Sequence, residues 1–305
     1  MSMGVLNNIA ATYAANNLSN TQSSLQNVLT QLSSGSRINS GADDAAGLSL
    51  ADGLQANQSA LTQSASNVNL GVGLLQTADG ALSQVNNLLN RAVTLATEAG
   101  NGTLNGSQDA AANQEYQSIL AEINNIGATT TYNGNAVFGA SASIYTSDGT
   151  ATGTSVDTLT IASLKSASVG DANGTIAYAP AVPGTSPATI SYAVGAGATD
   201  KVNLSTTDLT TSATAQTALT AIGNAITDVA AQRGYLGSQI NTLNSMAGVE
   251  TTQSENLASA SNSIMATDYT KATSMLSKYQ ILTQTGISAL AQANSTQQAV
   301  TKLLQ

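Results

Sequence analysis

Apolar residues in the first part of the chain recur at intervals of seven. Leu18, Leu25 and Leu32 fall on one line with Val28 between them, and Asn, Gln, Ser and Thr fill the positions around them. A helix wound from this stretch carries one narrow apolar stripe. The pattern stops at Ser34, Gly35 and Ser36. Beyond a loop from Arg37 to Gly41, a longer series begins: Val68, Leu75, Leu82 and Leu89 at sevens, interleaved with Ala78, Val85, Ala92 and Ala99. From Ala45 to Ala99 this predicts a helix roughly 80 Å long, at about 1.5 Å per residue. Gly47, Gly53, Gly71, Gly73 and Gly80 stand in its first half. Each costs about 1 kcal/mol relative to Ala in a helix interior, so this helix needs support from packing. Gly100 to Gly106 predicts a break, after which Tyr116, Ile119, Leu120, Ile123 and Ile126 give a shorter amphipathic helix before a turn at Asn133 and Gly134.

From about Ala136 to Ser205 the helical period is gone. Pro180, Pro183 and Pro187 all sit here, among runs such as Thr158 to Ile161, Thr175 to Tyr178 and Ala188 to Val194 that predict a small β domain. The helix period returns at Leu219. Ile222, Val229, Leu236, Leu243, Leu257 and Ile264 lie on one ladder of sevens interrupted only by Glu250, with Ile226 and Ile240 packing alongside. A last segment, Met275 to Leu304, places Leu276, Tyr279, Leu290, Ala293, Val300 and Leu304 on another stripe. The fold class is therefore mainly α: a long helical hairpin or coiled coil made from both termini, with a small β-rich domain inserted between. The boundaries fall at 1–44, 45–136, 137–205, 206–263 and 264–305.

A seam this narrow is too little apolar surface for a monomer's core, because helix stability comes mainly from packing an amphipathic face against something. Each terminal stripe needs a partner, and the other terminus is the nearest. Seams left over are buried between copies, in head-to-tail contacts that need not close and so build a helical filament. An ordinary long-helix protein that dimerises is the alternative on pattern alone.

Composition narrows the chemistry. The 305 residues include no Cys, His or Trp, and charged residues make up 8%, against roughly 25% in ordinary soluble proteins. Without imidazole or thiolate there is no Ser-His-Asp triad, no thiolate nucleophile and no zinc site of the usual kinds, and no cofactor or metal is implied. Eight basic and 17 acidic residues give a net charge of −9, the wrong sign for nucleic acid. The stretch from Met1 to Thr12 has no Lys, Arg or long apolar run, which argues against a cleavable secretory signal. No stretch approaches the roughly 20 apolar residues of a membrane span.

Two motifs then give a resemblance. Leu32-Ser-Ser-Gly-Ser-Arg-Ile-Asn-Ser-Gly-Ala-Asp-Asp-Ala-Ala-Gly47 near the start and Tyr279-Gln-Ile-Leu-Thr-Gln-Thr-Gly-Ile-Ser-Ala-Leu-Ala-Gln-Ala-Asn294 near the end are similar to the two terminal signatures of the bacterial flagellins. The resemblance covers both ends and leaves out the middle. It implies a subunit of the extracellular flagellar filament. Such a subunit passes unfolded through the flagellar type III export apparatus, is carried by a flagellin chaperone, polymerises beneath the filament cap and meets the hook-associated proteins. By the same resemblance Leu18, Leu25, Val28, Leu32, Leu276, Tyr279, Leu290, Val300 and Leu304 form an assembly coiled coil lining the lumen. The inner shell takes Val68, Leu75, Leu82, Leu89, Ile222, Val229, Leu236 and Leu243, and the middle faces outward. Termini this polar cannot offset about 1 to 2 kcal/mol per ordered residue alone, so they order only as neighbours complete the seam.

Other constellations have two readings. Arg37, Asn39, Asp43 and Asp44 form a signature loop. Its acidic pair suggests either an acid-base or metal site or, preferably, a helix start whose carboxylates accept backbone N–H bonds. Arg37 reads as an intersubunit pairing residue or an anion binder. Arg37, Arg91 and Arg233 stand in neutral surroundings, where a buried or interface cation should have a carboxylate partner. Arg91, Leu95 and Glu115 occupy positions at which many flagellins meet the vertebrate Toll-like flagellin receptor, although Asn90 replaces the usual Gln and Val93-Thr94 a charged pair; packing between subunits is the plainer role. A zinc peptidase insert is excluded by the lack of His, while the Ser- and Thr-rich middle admits O-glycosylation. The rivals are a hook-filament junction protein, which Ala45-Ala46 after the acidic pair disfavours, a secreted coiled-coil effector or adhesin, and an enzyme resting on acidic pairs alone.

Overall fold

The computed structural model describes residues 8–139, 141–146, 156–161, 164, 174–179, 189–194 and 203–303. Pro180, Pro183, Pro187 and Leu304 lie outside the described residues, as does the side chain of Val300. The described residues form five α-helices and three β-ribbons. In chain order they run α1 (Ile9–Ser34), α2 (Ala45–Gly100), α3 (Gly106–Thr129), β1 (Thr131–Tyr132), β2 (Asn135–Ala136), β3 (Ser141–Tyr145), β4 (Val156–Thr160), β5 (Gly174–Ala179), β6 (Thr189–Val194), α4 (Ser212–Met265) and α5 (Tyr269–Leu303). One compact unit holds the chain up to Ala56 and from Asn256 onward; the other is Asn57–Glu255. The boundary falls within α2 and α4.

The helix ends follow local chemistry. Asn8 caps α1 by accepting from the Ala11 N–H at 3.0 Å, and Gly35 closes it in the left-handed conformation at φ 71°, which Gly adopts without a Cβ penalty. A full capping box, Asn105 with Gln108, starts α3. Helix α4 begins at Ser212, seven residues before the apolar period becomes visible, because its first turns pack only Ala215 and Ala218 into the core. Thr211 and Thr214 hold that start through reciprocal side-chain bonds of 3.2 and 3.1 Å. Helix α5 likewise starts early, at Tyr269, with the Lys271 N–H donating to Asp268 Oδ1 at 3.1 Å.

In the Asn57–Glu255 unit, α2 and α4 run antiparallel. Thr62 meets Ser254, Ser64 meets Glu250, Asp79 meets Arg233, and the Gly100 carbonyl accepts from Ser212 Oγ. Between them, with α3, lies one apolar core containing Val68, Leu75, Leu82, Leu89, Tyr116, Ile123, Ile222, Val229, Leu236 and Leu243. Ile126, Ile226 and Ile240 pack on it partly buried. Tyr116 is also tied to Thr207 through its hydroxyl, and burial pushes its phenol pKa up, opposed by that bond.

The β elements pair as separate antiparallel ribbons, β1 with β2, β3 with β4, and β5 with β6. Asn133 (φ 50°) and Gly134 (φ 79°) make the tight β1–β2 turn. Residues of the segment read as an insert join the helical core: Val137, Phe138, Ile144, Leu159, Ile161 and Leu164 are all buried in it. This explains two of the glycines of α2. A Cβ on Gly71 would meet the end of Ile144, and one on Gly73 would lie 2.7 Å from the Tyr132 hydroxyl. Those two glycines are the sockets for β3 and β1, whereas Gly80 has nothing within 4 Å. Gly71→Leu should therefore destabilise the chain by about 1 to 3 kcal/mol through overpacking, while Gly80→Ala should stabilise it by up to about 1 kcal/mol. Denaturant midpoints of the two variants check the contrast.

Candidate assembly interface

The terminal unit is built on two helices and two turns. Helices α1 and α5 are antiparallel: Asn8 Nδ2 donates to the Ala293 carbonyl at 3.0 Å, and a Cβ on Gly286 would lie 3.2 Å from Leu18 Cδ1. Leu18, Leu25 and Leu32 are half-buried along this pair, and Val28 is buried. From α5, Leu276, Tyr279 and Leu290 are half-buried and Ala272 is buried. The small residues Ala14, Thr21, Thr283 and Gly286 fall between them, also half-buried, which lets the helices approach closely.

The α1–α2 turn and the α4–α5 turn are stitched together. Ser36 and Ala266 form a β-bridge, the Arg37 N–H donates to the Met265 carbonyl at 2.6 Å, and the Thr267 N–H donates to the Gly35 carbonyl at 3.1 Å. The Ser36 and Thr267 hydroxyls add bonds to the Met265 and Gln31 carbonyls, both 3.3 Å. Ile38 is buried beneath the turn. Sequence reasoning missed Ser36, Ile38, Ala266 and Thr267. The one signal was the pairing of two pattern breaks, Ser34-Gly35-Ser36 and Ala266-Thr267-Asp268.

Arg37 belongs to this stitch: within the chain its Nη2 donates to the Ile264 carbonyl at 2.8 Å. A helix C-terminus presents unpaired carbonyls, and a guanidinium N–H donates to one of them. Asn39 Nδ2 donates to the Ser36 carbonyl at 2.8 Å. Asp43 Oδ2 accepts from the Asn39 N–H, the Ser40 N–H and the Ser40 hydroxyl at 2.9 to 3.1 Å. The Asn39 N–H first, then the Ser40 hydroxyl and N–H, hold its carboxyl below the usual range. The loop's support from Asp43 is thus present above the ordinary carboxylate pKa and lost as pH falls through the depressed one. Asp44 Oδ1 accepts from the Gly47 N–H at 2.9 Å and so caps α2.

The other two arginines have carboxylates. Arg91 Nε donates to Glu115 Oε1 at 2.7 Å across the exposed faces of α2 and α3; this bond raises the guanidinium pKa and lowers that of the carboxyl. Leu95, one turn on, is 3% exposed and lies in the core. Arg233 pairs with Asp79 at 2.7 Å.

What the terminal unit leaves uncovered is equally plain. Ile9, Tyr13 and Leu29 of α1 and Tyr269, Ile281, Leu282 and Ile287 of α5 are exposed. Tyr13 and Ile281 are 68% and 63% exposed.

The pattern that describes bacterial flagellin N-terminal helical regions matches residues 5–143, and the one for the C-terminal helical region matches 219–304. The chain belongs to the bacterial flagellin family. A flagellin of Listeria monocytogenes is 33% identical over 274 residues, covering 90% of both chains. One from Halalkalibacterium halodurans is 31% identical over 302 residues, 99% of this chain and 100% of that one. The crystal structure of Bacillus cereus flagellin, 28% identical, covers 64% of this chain and 94% of that chain with a TM-score of 0.44; the assignment does not rest on it. The chain is thus a structural subunit of the extracellular flagellar filament, an assembly of identical subunits, and neither the junction-protein nor the effector reading is favoured. Asp44→Ala should cost about 1 kcal/mol by removing the α2 cap, read as an earlier loss of helix in a thermal melt, while Asp44→Asn should melt close to the parent.

Proposed function

We propose that the exposed apolar residues of α1 and α5 are the surface on which neighbouring copies of the chain complete the terminal unit, and that this completion drives filament growth. The observation that supports the reading most is the contrast between seams: in the Asn57–Glu255 unit Leu75, Leu82, Leu89, Leu236 and Leu243 are fully buried, while the terminal unit leaves its seam half-covered. Ordering the 26 residues of α1 and 35 of α5 costs about 1 to 2 kcal/mol per residue. Burying a large apolar side chain returns about 1.5 to 3 kcal/mol when it is complete. Half-buried leucines separated by Ala, Thr and Gly do not offset that cost, so the terminal helices form as copies join. Free subunit is thereby kept from polymerising early.

On this reading the chain travels unfolded through the export apparatus with its chaperone, adds beneath the cap, follows the hook-associated proteins and acts without catalysis. Leu18, Leu25, Val28, Leu32, Leu276, Tyr279, Leu290, Val300 and Leu304 carry the terminal coil, and part of the 137–205 segment faces outward. Recognition by the Toll-like flagellin receptor would use the exposed Arg91 and Glu115, since Leu95 is turned into the core.

Replacing Ile281 and Ile287 together by Asp tests the reading. Both lie off the α1–α5 seam, so the variant should retain the folded Asn57–Glu255 unit while losing seeded filament growth in electron micrographs. Filaments of normal length from this variant would overturn it. In cells, a chain lacking Gln292 to Gln305 should fail to restore swimming to a deletion strain that the full chain rescues.

A further inference from the structure

Glu250 is the polar interruption in the ladder of sevens along α4, and it is buried. It is 5% exposed and its partner Ser64, on α2, is 1% exposed. Ser64 Oγ lies 2.7 Å from Glu250 Oε1 and 3.2 Å from the Tyr145 carbonyl at the end of β3. The second carboxyl oxygen, Oε2, is buried with no hydrogen-bond partner.

A count of hydrogens decides what this triad can be. Ser64 has one hydroxyl proton. If Glu250 is ionised, that proton goes to Oε1, and the Tyr145 carbonyl faces the hydroxyl oxygen with no hydrogen between them. If Glu250 is protonated, Oε1–H donates to Ser64 Oγ, which is free to donate to the Tyr145 carbonyl. Every short contact in the triad is then a hydrogen bond. Ionisation also leaves a buried carboxylate with one donor and a bare Oε2, a costly arrangement.

We propose that Glu250 is a proton-operated latch: protonated, it closes a hydrogen-bond chain from α4 through α2 to β3, and ionised, it opens that chain. Among the described residues no cation pairs with it. α2 has no charged residue from Gly53 to Ala78, and α4 has none but Glu250 from Gly234 to Ser254. β3 contributes only the Tyr145 phenol, and on β4 Asp157 stands opposite Ile144, its side chain outside the described residues. Burial pushes the Glu250 carboxyl pKa up, with the Ser64 bond opposing. A raised folded pKa means the contribution to stability is complete below the ordinary glutamate value and is lost as pH rises through the raised one. The filament lies outside the cell, so the latch responds to the acidity of the medium, tightening the α2–α4–β3 contact when it is acid.

Glu250→Gln is the test, because the amide donates to Ser64 Oγ as the protonated acid does. Denaturant unfolding of the full-length monomer at about pH 8 should show the Gln variant more stable than the parent, and at about pH 5 the gap should close. A variant no more stable at the higher pH, or a gap of equal size at both, would overturn the proposal. If Gln impairs folding, the side-chain carboxyl of Glu250 in the parent is titrated by carbon NMR. A midpoint above that of ordinary glutamates supports the latch, and one at or below it overturns the latch.

Discussion

Main-chain hydrogen bonds between two turns, one after α1 and one after α4, are the constraint on which the terminal unit depends. A helix end carries several backbone groups with no partner inside the helix. Here the two ends satisfy each other: Arg37 N–H with the Met265 carbonyl, Thr267 N–H with the Gly35 carbonyl, and the Arg37 guanidinium with the Ile264 carbonyl. Residues more than 200 positions apart in the chain, such as Ser36 and Met265, are thereby held in contact. The stitch also sets the register of α1 on α5. With so few leucines along the seam, a slip would set Leu18 or Leu25 against Asn, Gln or Ser, so the turn geometry supplies specificity that the stripe alone lacks.

The Asn57–Glu255 unit meets a different requirement, two long helices wide apart in sequence and closely covered. Its charges are few, and both of its arginines are paired: Arg91 with Glu115, Arg233 with Asp79. Much of the remaining surface is amide and hydroxyl, with many Ser and Thr side chains bonded back to their own helix, as Thr97 is to Val93 and Thr242 to Ser238. Such a surface is only weakly charged and can lie against copies of itself without burying unpaired ions. The half-covered terminal seam and this neutral surface together suit a chain that finishes folding on its neighbours.

Much of this was legible because heptad spacing is a direct record of a helical contact line. Val68 to Leu89 and Ile222 to Leu243 appear in the sequence as ladders and in the structure as core. Helix starts at Ser212 and Tyr269 were hidden, since alanines and capping groups hold them and carry no apolar period. The stitch was hidden for a deeper reason: its bonds are mostly between backbone atoms, which every residue possesses. Gly71 and Gly73 read as weak points in α2 because the strands that fill their sockets have no sequence period of their own. The Ile264 carbonyl that Arg37 meets within the chain was hidden because a helix-end carbonyl has no side-chain signature. The ladder's interruption at Glu250 was visible, but not the Ser64 hydroxyl that faces it.

Backbone hydrogen exchange at the stitch gives the most direct measurement. If the terminal helices form only as copies join, the amides of Arg37 and Thr267 exchange nearly freely in the full-length monomer and become strongly protected in the filament, while amides around Leu82 and Leu236 are protected in both. Equal, strong protection of Arg37 and Thr267 in free monomer would contradict the account.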